Sequence, residues 1–167
     1  MTALDVLIPR SANNDYRGGR VPLYFFYALI AMVTFRSFVH FLKDDSGVNS
    51  IASIMIFSGT PDPNTVIYMF SALWGSQQVI MLMVYLIVLA RYRHLIPLLW
   101  ALMVVEVLFR LTVGQIHPLT PDYYARTPPG KLGNLPILIL SLTMVALAVR
   151  NTLRSPAQPS EGEQALT

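Results

Sequence analysis

Long apolar runs divide the chain into four segments separated by polar stretches. A helix that crosses the hydrocarbon core of a bilayer needs about 20 mostly apolar residues. Runs that meet or approach this length cover residues 22–42, 66–90, 95–114 and 135–153, the last if Arg150 extends toward the headgroups. The pattern predicts an all-α integral membrane protein, with residues 1–154 forming a four-helix transmembrane bundle.

Proline and glycine positions support these boundaries. Pro22, Pro97 and Pro136 fall in the first turn of a predicted helix, where a missing N–H costs nothing, and the other nine prolines fall in tails or loops. Gly114 is placed to cap the third helix at its C-terminus. A basic leader precedes the first run, but the length of that run and its interruption by Arg36 favour a retained anchor over a cleaved signal peptide.

The connecting segments have different characters. The four-residue connector 91–94 predicts that spans two and three form an antiparallel hairpin. The loop 43–65 contains an apolar stretch too short to span a membrane, which predicts an interfacial helix. The loop 115–134 is predicted to be irregular. The polar, proline-containing segment 155–167 is predicted to be a disordered tail.

Basic residues concentrate at one end of the predicted bundle. Seven Lys and Arg residues flank the ends of the chain and the connector 91–94, and three lie in the two long loops. The positive-inside rule therefore predicts that both termini are cytoplasmic, in the cytoplasmic (inner) membrane if the source is bacterial. Because these arginines explain the net charge of +3, the expected partners are membrane lipids, not nucleic acid.

Composition narrows the chemistry. Charged residues make up 13% of the chain, about half of the share in soluble domains, which argues against a soluble protein. The chain has no cysteine, so disulfides, thiolate metal sites and cysteine nucleophiles are excluded. Compact His or Glu ligand spacings, nucleophile-elbow serines and phosphate-binding glycine loops are also absent from the sequence. The sequence therefore predicts no metal and no cofactor.

Polar side chains inside the apolar runs are the main functional lead, because a charge in the bilayer core is costly. Counting the helical rise from each helix start places them in the middle and outer half of the membrane. Heptad-type spacing in the second and third runs favours a shared interior seam. The side chains concerned are Arg36 and His40 in the first run, Trp74, Gln77 and Gln78 in the second, and Glu106 and Arg110 in the third.

We interpret these side chains as a polar pocket that opens toward the outer loops. Glu106 and Arg110 are the predicted catalytic pair, with Glu106 as proton donor or acceptor. The predicted ligand-binding residues are Arg36, His40, Gln77, Gln78 and Trp74. Each also has a structural interpretation: an ion pair, an arginine or histidine near the interface, interhelical hydrogen bonds, or a packed tryptophan.

Three classes of function fit the pattern. The first is a protein that binds or transforms an apolar or amphiphilic small molecule, such as a lipid, isoprenoid, sterol-like or quinone-like compound. The second is an accessory subunit or assembly factor of a larger membrane complex, whose charges pair with a membrane-protein partner. The third is a subunit of a homo-oligomeric transporter or channel, because four spans without an inverted repeat are few for a self-contained carrier.

Overall fold

The computed structural model describes residues 2–155 and is helical throughout that range apart from turns, loops and one isolated β-bridge. A short helix α1, Ala3–Leu7, precedes four long helices: α2, Arg20–Leu42; α3, Asn64–Arg91; α4, Ile96–Ile116; and α5, Pro129–Arg154. Two single 3₁₀ turns, Arg93–Leu95 and Pro121–Tyr123, lie in the connections. All four long helices are long and apolar enough to cross a membrane, which confirms the predicted number of candidate spanning helices.

The long helices pack as two pairs. α2 packs mainly on α3, and α4 packs mainly on α5, whereas α3 and α4 touch at only a few residues. The predicted hairpin of spans two and three therefore lacks an extended packing interface. The short connector joins the ends of α3 and α4, but a groove separates the two helices along the region described below.

The apolar core lies toward the end of the bundle that carries the connector 91–95. Phe26 of α2 packs against the rings of Tyr85 in α3 and Trp100 in α4, at centroid distances of 5.7 and 6.1 Å. The indole N–H of Trp100 donates to the carbonyl of Pro22. Because these side chains are large and buried, they fix how α2, α3 and α4 sit at this end.

The N-terminal segment folds across the same end of the bundle. α1 contacts α4 and α5. The amide of Asn151 in α5 donates to the carbonyl of Gly18, and the His94 ring contacts the backbone of Asn13. Burial raises the pKa of Tyr16 in this segment above its usual range. The two ends of the described chain therefore lie at one end of the bundle, as an even number of spans requires.

The loop 43–63 differs from the sequence prediction. It folds into consecutive turns, with Ser46, Gly47 and Ser53 at positive φ, so the predicted interfacial helix is wrong. Burial raises the pKa of the Asp45 carboxyl, but hydrogen bonds from Ser50 and Gly47 outweigh burial and lower that pKa below its ordinary value. These local hydrogen bonds stabilise turns in place of a helix.

The loops 43–63 and 117–128 contact each other. The N–H of Met55 donates to the carbonyl of Tyr123, and the N–H of Ala125 donates to that of Ser53, which forms the isolated antiparallel bridge. The guanidinium of Arg126 donates to the Ser53 hydroxyl at 3.0 Å. The loop 117–128 is otherwise irregular, as predicted, apart from its 3₁₀ turn.

The ends of two helices also differ from prediction. α5 begins at Pro129 and not at the predicted residue 135. Residues 129–134 form helical turns although most of them are polar or glycine. Pro136 therefore lies inside α5, and not in its first turn. α4 continues through Gly114 to Ile116, so Gly114 does not cap it. The predicted disordered tail lies outside the described residues except for Ser155, whose N–H bonds back to Asn151.

Candidate functional site

A groove of about 320 Å³ lies between α3 and α4, with α2 at its back. Eleven side chains line it, and all belong to these three helices. Among the described residues, none from a loop contributes, so the groove runs along the side of the bundle. Its lining consists of Val33, Arg36, Trp74, Gln77, Gln78, Met81, Tyr85, Leu102, Val105, Glu106 and Phe109.

The walls of the groove are apolar and its back is charged. Met81, Leu102, Val105 and Phe109 are exposed on the flanks of α3 and α4. Arg36 at the back is mostly covered. This combination of apolar walls with a few converging polar groups is typical of a ligand-binding cleft.

Glu106 forms ion pairs with two arginines through the same oxygen. Its Oε1 lies 3.3 Å from Nη2 of Arg36 and 3.5 Å from Nη2 of Arg110. The Arg110 pair is the i, i+4 pair of α4, and the Arg36 pair joins α2 to α4. In the sequence of the four long helices, which the structure describes in full, Glu106 is the only acidic residue. One carboxylate thus faces two guanidinium groups.

Gln78 connects the ion pairs to α3. Its Oε1 accepts a hydrogen bond of 2.7 Å from Nε of Arg36. Because guanidinium groups only donate, this bond fixes which end of the amide is the oxygen. Only 8% of the surface of Gln78 is exposed, and its buried Nε2 has no hydrogen-bond partner among the described residues. The amide is therefore a donor without an acceptor at the groove.

Arg110 also has buried donors that lack an acceptor. Its Nε and Nη2 atoms are buried without a hydrogen bond to any described residue, because the 3.5 Å approach to Glu106 is an ion-pair distance without hydrogen-bond geometry. Buried donors of a charged group are costly to leave unpaired. Arg110 does not line the groove itself and lies one helical turn beyond Glu106.

The rings of Trp74 and His40 contact each other in a tilted arrangement, and Trp74 lines the groove. The guanidinium carbon of Arg36 lies 5.8 Å from the ring centroid of Trp74, within cation–π range. The His40 ring lies 4.8 Å from the Trp74 ring, centroid to centroid, and the Nδ1 of His40 donates to the carbonyl of Ser46 at 2.6 Å. The same carbonyl accepts from the Ser71 hydroxyl. His40 therefore fastens loop 43–63 to the helices and does not line the groove.

The structure brings together most of the residues selected from the sequence. Arg36, Gln78, Glu106 and Arg110 form one connected polar cluster, with Trp74 and Gln77 at the groove. His40 is outside it. The heptad spacing of the third run also includes Met103 and His117; Met103 is buried in the apolar core, whereas His117 is exposed beyond α4.

Sequence reasoning missed the apolar walls. Val33, Leu102, Val105 and Phe109 were not distinguished from other apolar positions, since helices that are apolar on all sides give no periodic signal. It also missed a second cavity of about 220 Å³ at the other end of the bundle. Tyr16 and His94 line that cavity, and each has a buried polar atom without a partner in the described chain.

Among the residues that the structure describes, no group of three or more His, Asp or Glu side chains is arranged to hold a metal ion. The comparisons with known proteins leave the site to be interpreted from its own chemistry: no protein-family model, no curated protein and no solved structure matches this chain significantly.

Proposed function

We propose that this chain is a multi-pass membrane protein that binds an amphiphilic small molecule in the groove between α3 and α4. The head of the ligand lies against Arg36, Gln78 and Glu106, and its apolar part lies along the walls of the groove. One observation carries the proposal: a charged cluster with unpaired donors forms the back of a cleft whose walls are apolar. A lipid-soluble molecule with a polar head complements both parts.

The groove gives such a ligand a lateral route. Its wall residues are exposed on the flanks of α3 and α4, where these helices would face the acyl chains. A molecule dissolved in the bilayer enters sideways without crossing the loops. Glu106 is the only carboxylate among the described residues that line the groove and is therefore the candidate for proton transfer if the bound molecule is also transformed.

Exposed apolar residues elsewhere on the helices do not favour the accessory-subunit or channel alternatives. Side chains of this kind cover all four long helices, which is what a lipid environment requires of any spanning bundle. The orientation with cytoplasmic termini is part of the same proposal and rests on the distribution of Lys and Arg; the membrane is the cytoplasmic (inner) one if the source is bacterial.

Analysis of the lipids that co-purify with the protein tests the binding proposal. The chain is purified in mild detergent, and its co-purifying lipids are identified and quantified by mass spectrometry. Met81→Trp fills the groove, whereas Met83→Trp makes the same change two residues away on an exposed position of α3. We expect a near-stoichiometric molecule with the native chain and Met83→Trp, and its loss with Met81→Trp. Equal recovery from all three, or only bulk lipid in each, contradicts the proposal.

A further inference from the structure

The charge at the groove is unbalanced. Arg36, Arg110 and Glu106 sum to one excess positive charge, and the four long helices supply no second acid. The remaining Lys and Arg residues of the four long helices lie near the helix ends: Arg20, Arg91, Lys131, Arg150 and Arg154. A cation enclosed in an apolar environment without a matching anion is strongly unfavourable.

The buried polar side-chain atoms of the cluster that lack a partner in the described chain are all donors. Gln78 Nε2, Arg110 Nε and Arg110 Nη2 are buried and lack acceptors in the described chain. The Gln78 amide cannot turn over to present its oxygen without losing the 2.7 Å bond from Arg36. At the groove itself, the cluster therefore offers a ligand the guanidinium of Arg36 and the amide of Gln78, with Arg110 adding positive charge behind them.

From these two observations we infer that the ligand head is a singly charged anion, a carboxylate or a phosphate ester, which binds at Arg36 and Gln78 and neutralises the excess charge of the arginines. The inference rests on the proposed function and specifies its ligand class. Arginine suits either head because its planar fork of donors matches carboxylate and phosphate oxygens. An alcohol or ketone head satisfies Gln78 but leaves the excess charge in place.

Trp74 provides a reporter inside the groove. The chain has two tryptophans, and Trp100 is fully buried in the core. Bromine atoms quench tryptophan on contact, so a brominated ligand in the groove quenches Trp74. Trp74→Phe defines the signal of Trp100, and subtracting it gives the signal of Trp74 without altering the core.

Two pairs of probes test the head group at constant total detergent. Dibromostearic acid, at a pH well above that of its carboxyl titration, is compared with dibromostearyl alcohol, which has the same tail. Dibrominated phosphatidylglycerol is compared with dibrominated phosphatidylcholine that has the same chains. This second pair distinguishes a membrane-lipid source from a free fatty acid. Saturable quenching measures binding, whereas contact with the surrounding micelle rises without saturation.

We expect an anionic probe to bind at least about tenfold more tightly than its uncharged or zwitterionic partner, since each charged hydrogen bond is worth roughly one such factor. Preference for the acid indicates a single-chain ligand, and preference for phosphatidylglycerol indicates a phospholipid. Arg36→Gln and Arg110→Gln should each remove most of the preference. Arg150→Gln removes the same charge from an exposed position near the end of α5 and should leave it unchanged.

The outcomes separate the two proposals. Saturable quenching of equal strength by anionic and uncharged probes overturns the anion inference and leaves groove binding in place. A preference that survives both Arg36→Gln and Arg110→Gln also overturns the inference, because the charge then comes from elsewhere. Absence of saturable quenching by every probe contradicts groove binding itself.

Discussion

Glu106 neutralises two arginines, and its replacement should therefore cost more stability than the replacement of either one. Glu106→Gln keeps the volume of the side chain but leaves two guanidinium groups facing no anion. Breaking a buried ion pair from one side costs about 3–5 kcal/mol, and we expect a loss of about 3 kcal/mol, at the lower end, because the Glu106 side chain is 37% exposed. Equilibrium unfolding in mixed detergent micelles measures the change.

Arg110→Gln is the matched comparison. It leaves Arg36 paired with Glu106 and Gln78, so the cluster becomes neutral, and the loss of stability should be clearly smaller than for Glu106→Gln. A loss equal to that of Glu106→Gln would show that the i, i+4 pair of α4 is the essential contact. The excess charge assigned to the cluster would then have no effect on stability.

At the residue scale, the cost of charge in an apolar helix was a sufficient guide to Arg36, Glu106 and Arg110. It could not choose between Gln77 and Gln78, which are adjacent and point about 100° apart around a helix. The rotation of α3 against α2 buries Gln78 on Arg36 and leaves Gln77 exposed at the groove. That rotation depends on packing between helices, which no single segment of sequence specifies.

At the element scale, Gly75 controls how closely α2 and α3 approach. A Cβ at this position would lie 2.6 Å from the backbone carbon of His40 and the backbone nitrogen of Phe41. Gly75→Ala should therefore push α2 away and destabilise the bundle by about 1–3 kcal/mol, as overpacking does. Thermal unfolding, together with loss of cross-linking between cysteines placed in α2 and α3, measures the separation.

Gly114→Ala is the control, because a Cβ there meets nothing within 4 Å. It should be neutral or slightly stabilising, since alanine favours a helix by up to about 1 kcal/mol relative to glycine. Equal destabilisation by both substitutions would mean that any added methyl group is harmful, and the close approach of α2 and α3 at Gly75 would have no special weight.

The contact between the two long loops can be tested with a disulfide. Ile54 and Tyr124 face each other in the antiparallel bridge, and the chain has no native cysteine. Facing residues of such a pair lie within the Cα range that a disulfide spans. Ile54→Cys with Tyr124→Cys should therefore form an intramolecular disulfide on mild oxidation, visible as a faster-migrating band that reductant removes.

A cysteine pair at opposite ends of the bundle controls for random encounters. Ile54→Cys with Ser11→Cys should remain reduced under the same conditions. A disulfide in this pair, or none between positions 54 and 124, would contradict the described contact. The sequence did not predict this contact, because the apolar stretch of loop 43–63 was interpreted as an interfacial helix. The turns are set instead by hydrogen bonds within the loop, including those that the Asp45 carboxylate accepts from Gly47 and Ser50.

At the scale of the whole molecule, length and composition predicted four spans but not their pairing. Each long helix is apolar on nearly all sides, so no amphipathic stripe indicates which neighbour it contacts. The short connector made a packed α3–α4 hairpin the simplest expectation. Contacts from α2 instead separate the pair: Phe26 reaches Tyr85 and Trp100, and Arg36 reaches Gln78 and Glu106. The groove is the space that this arrangement leaves.

Membrane orientation is the remaining property of the whole molecule that the sequence predicts, and cysteine labelling tests it. Because the chain has no cysteine, single substitutions can be labelled without background. Ser58 and Asp122 are exposed in the two long loops, and Ser11 is exposed at the other end of the bundle. With cytoplasmic termini, an impermeant thiol reagent added to intact cells should label Ser58→Cys and Asp122→Cys but not Ser11→Cys.

Permeabilisation is the control, since it should make all three cysteines react and so show that each is accessible. The reverse pattern in intact cells would overturn the orientation inferred from Lys and Arg while leaving four spans in place. Labelling of Ser11→Cys together with only one loop cysteine would require an odd number of crossings between the two loops, where α3 and α4 supply two. That result would contradict a bundle in which all four long helices span the membrane.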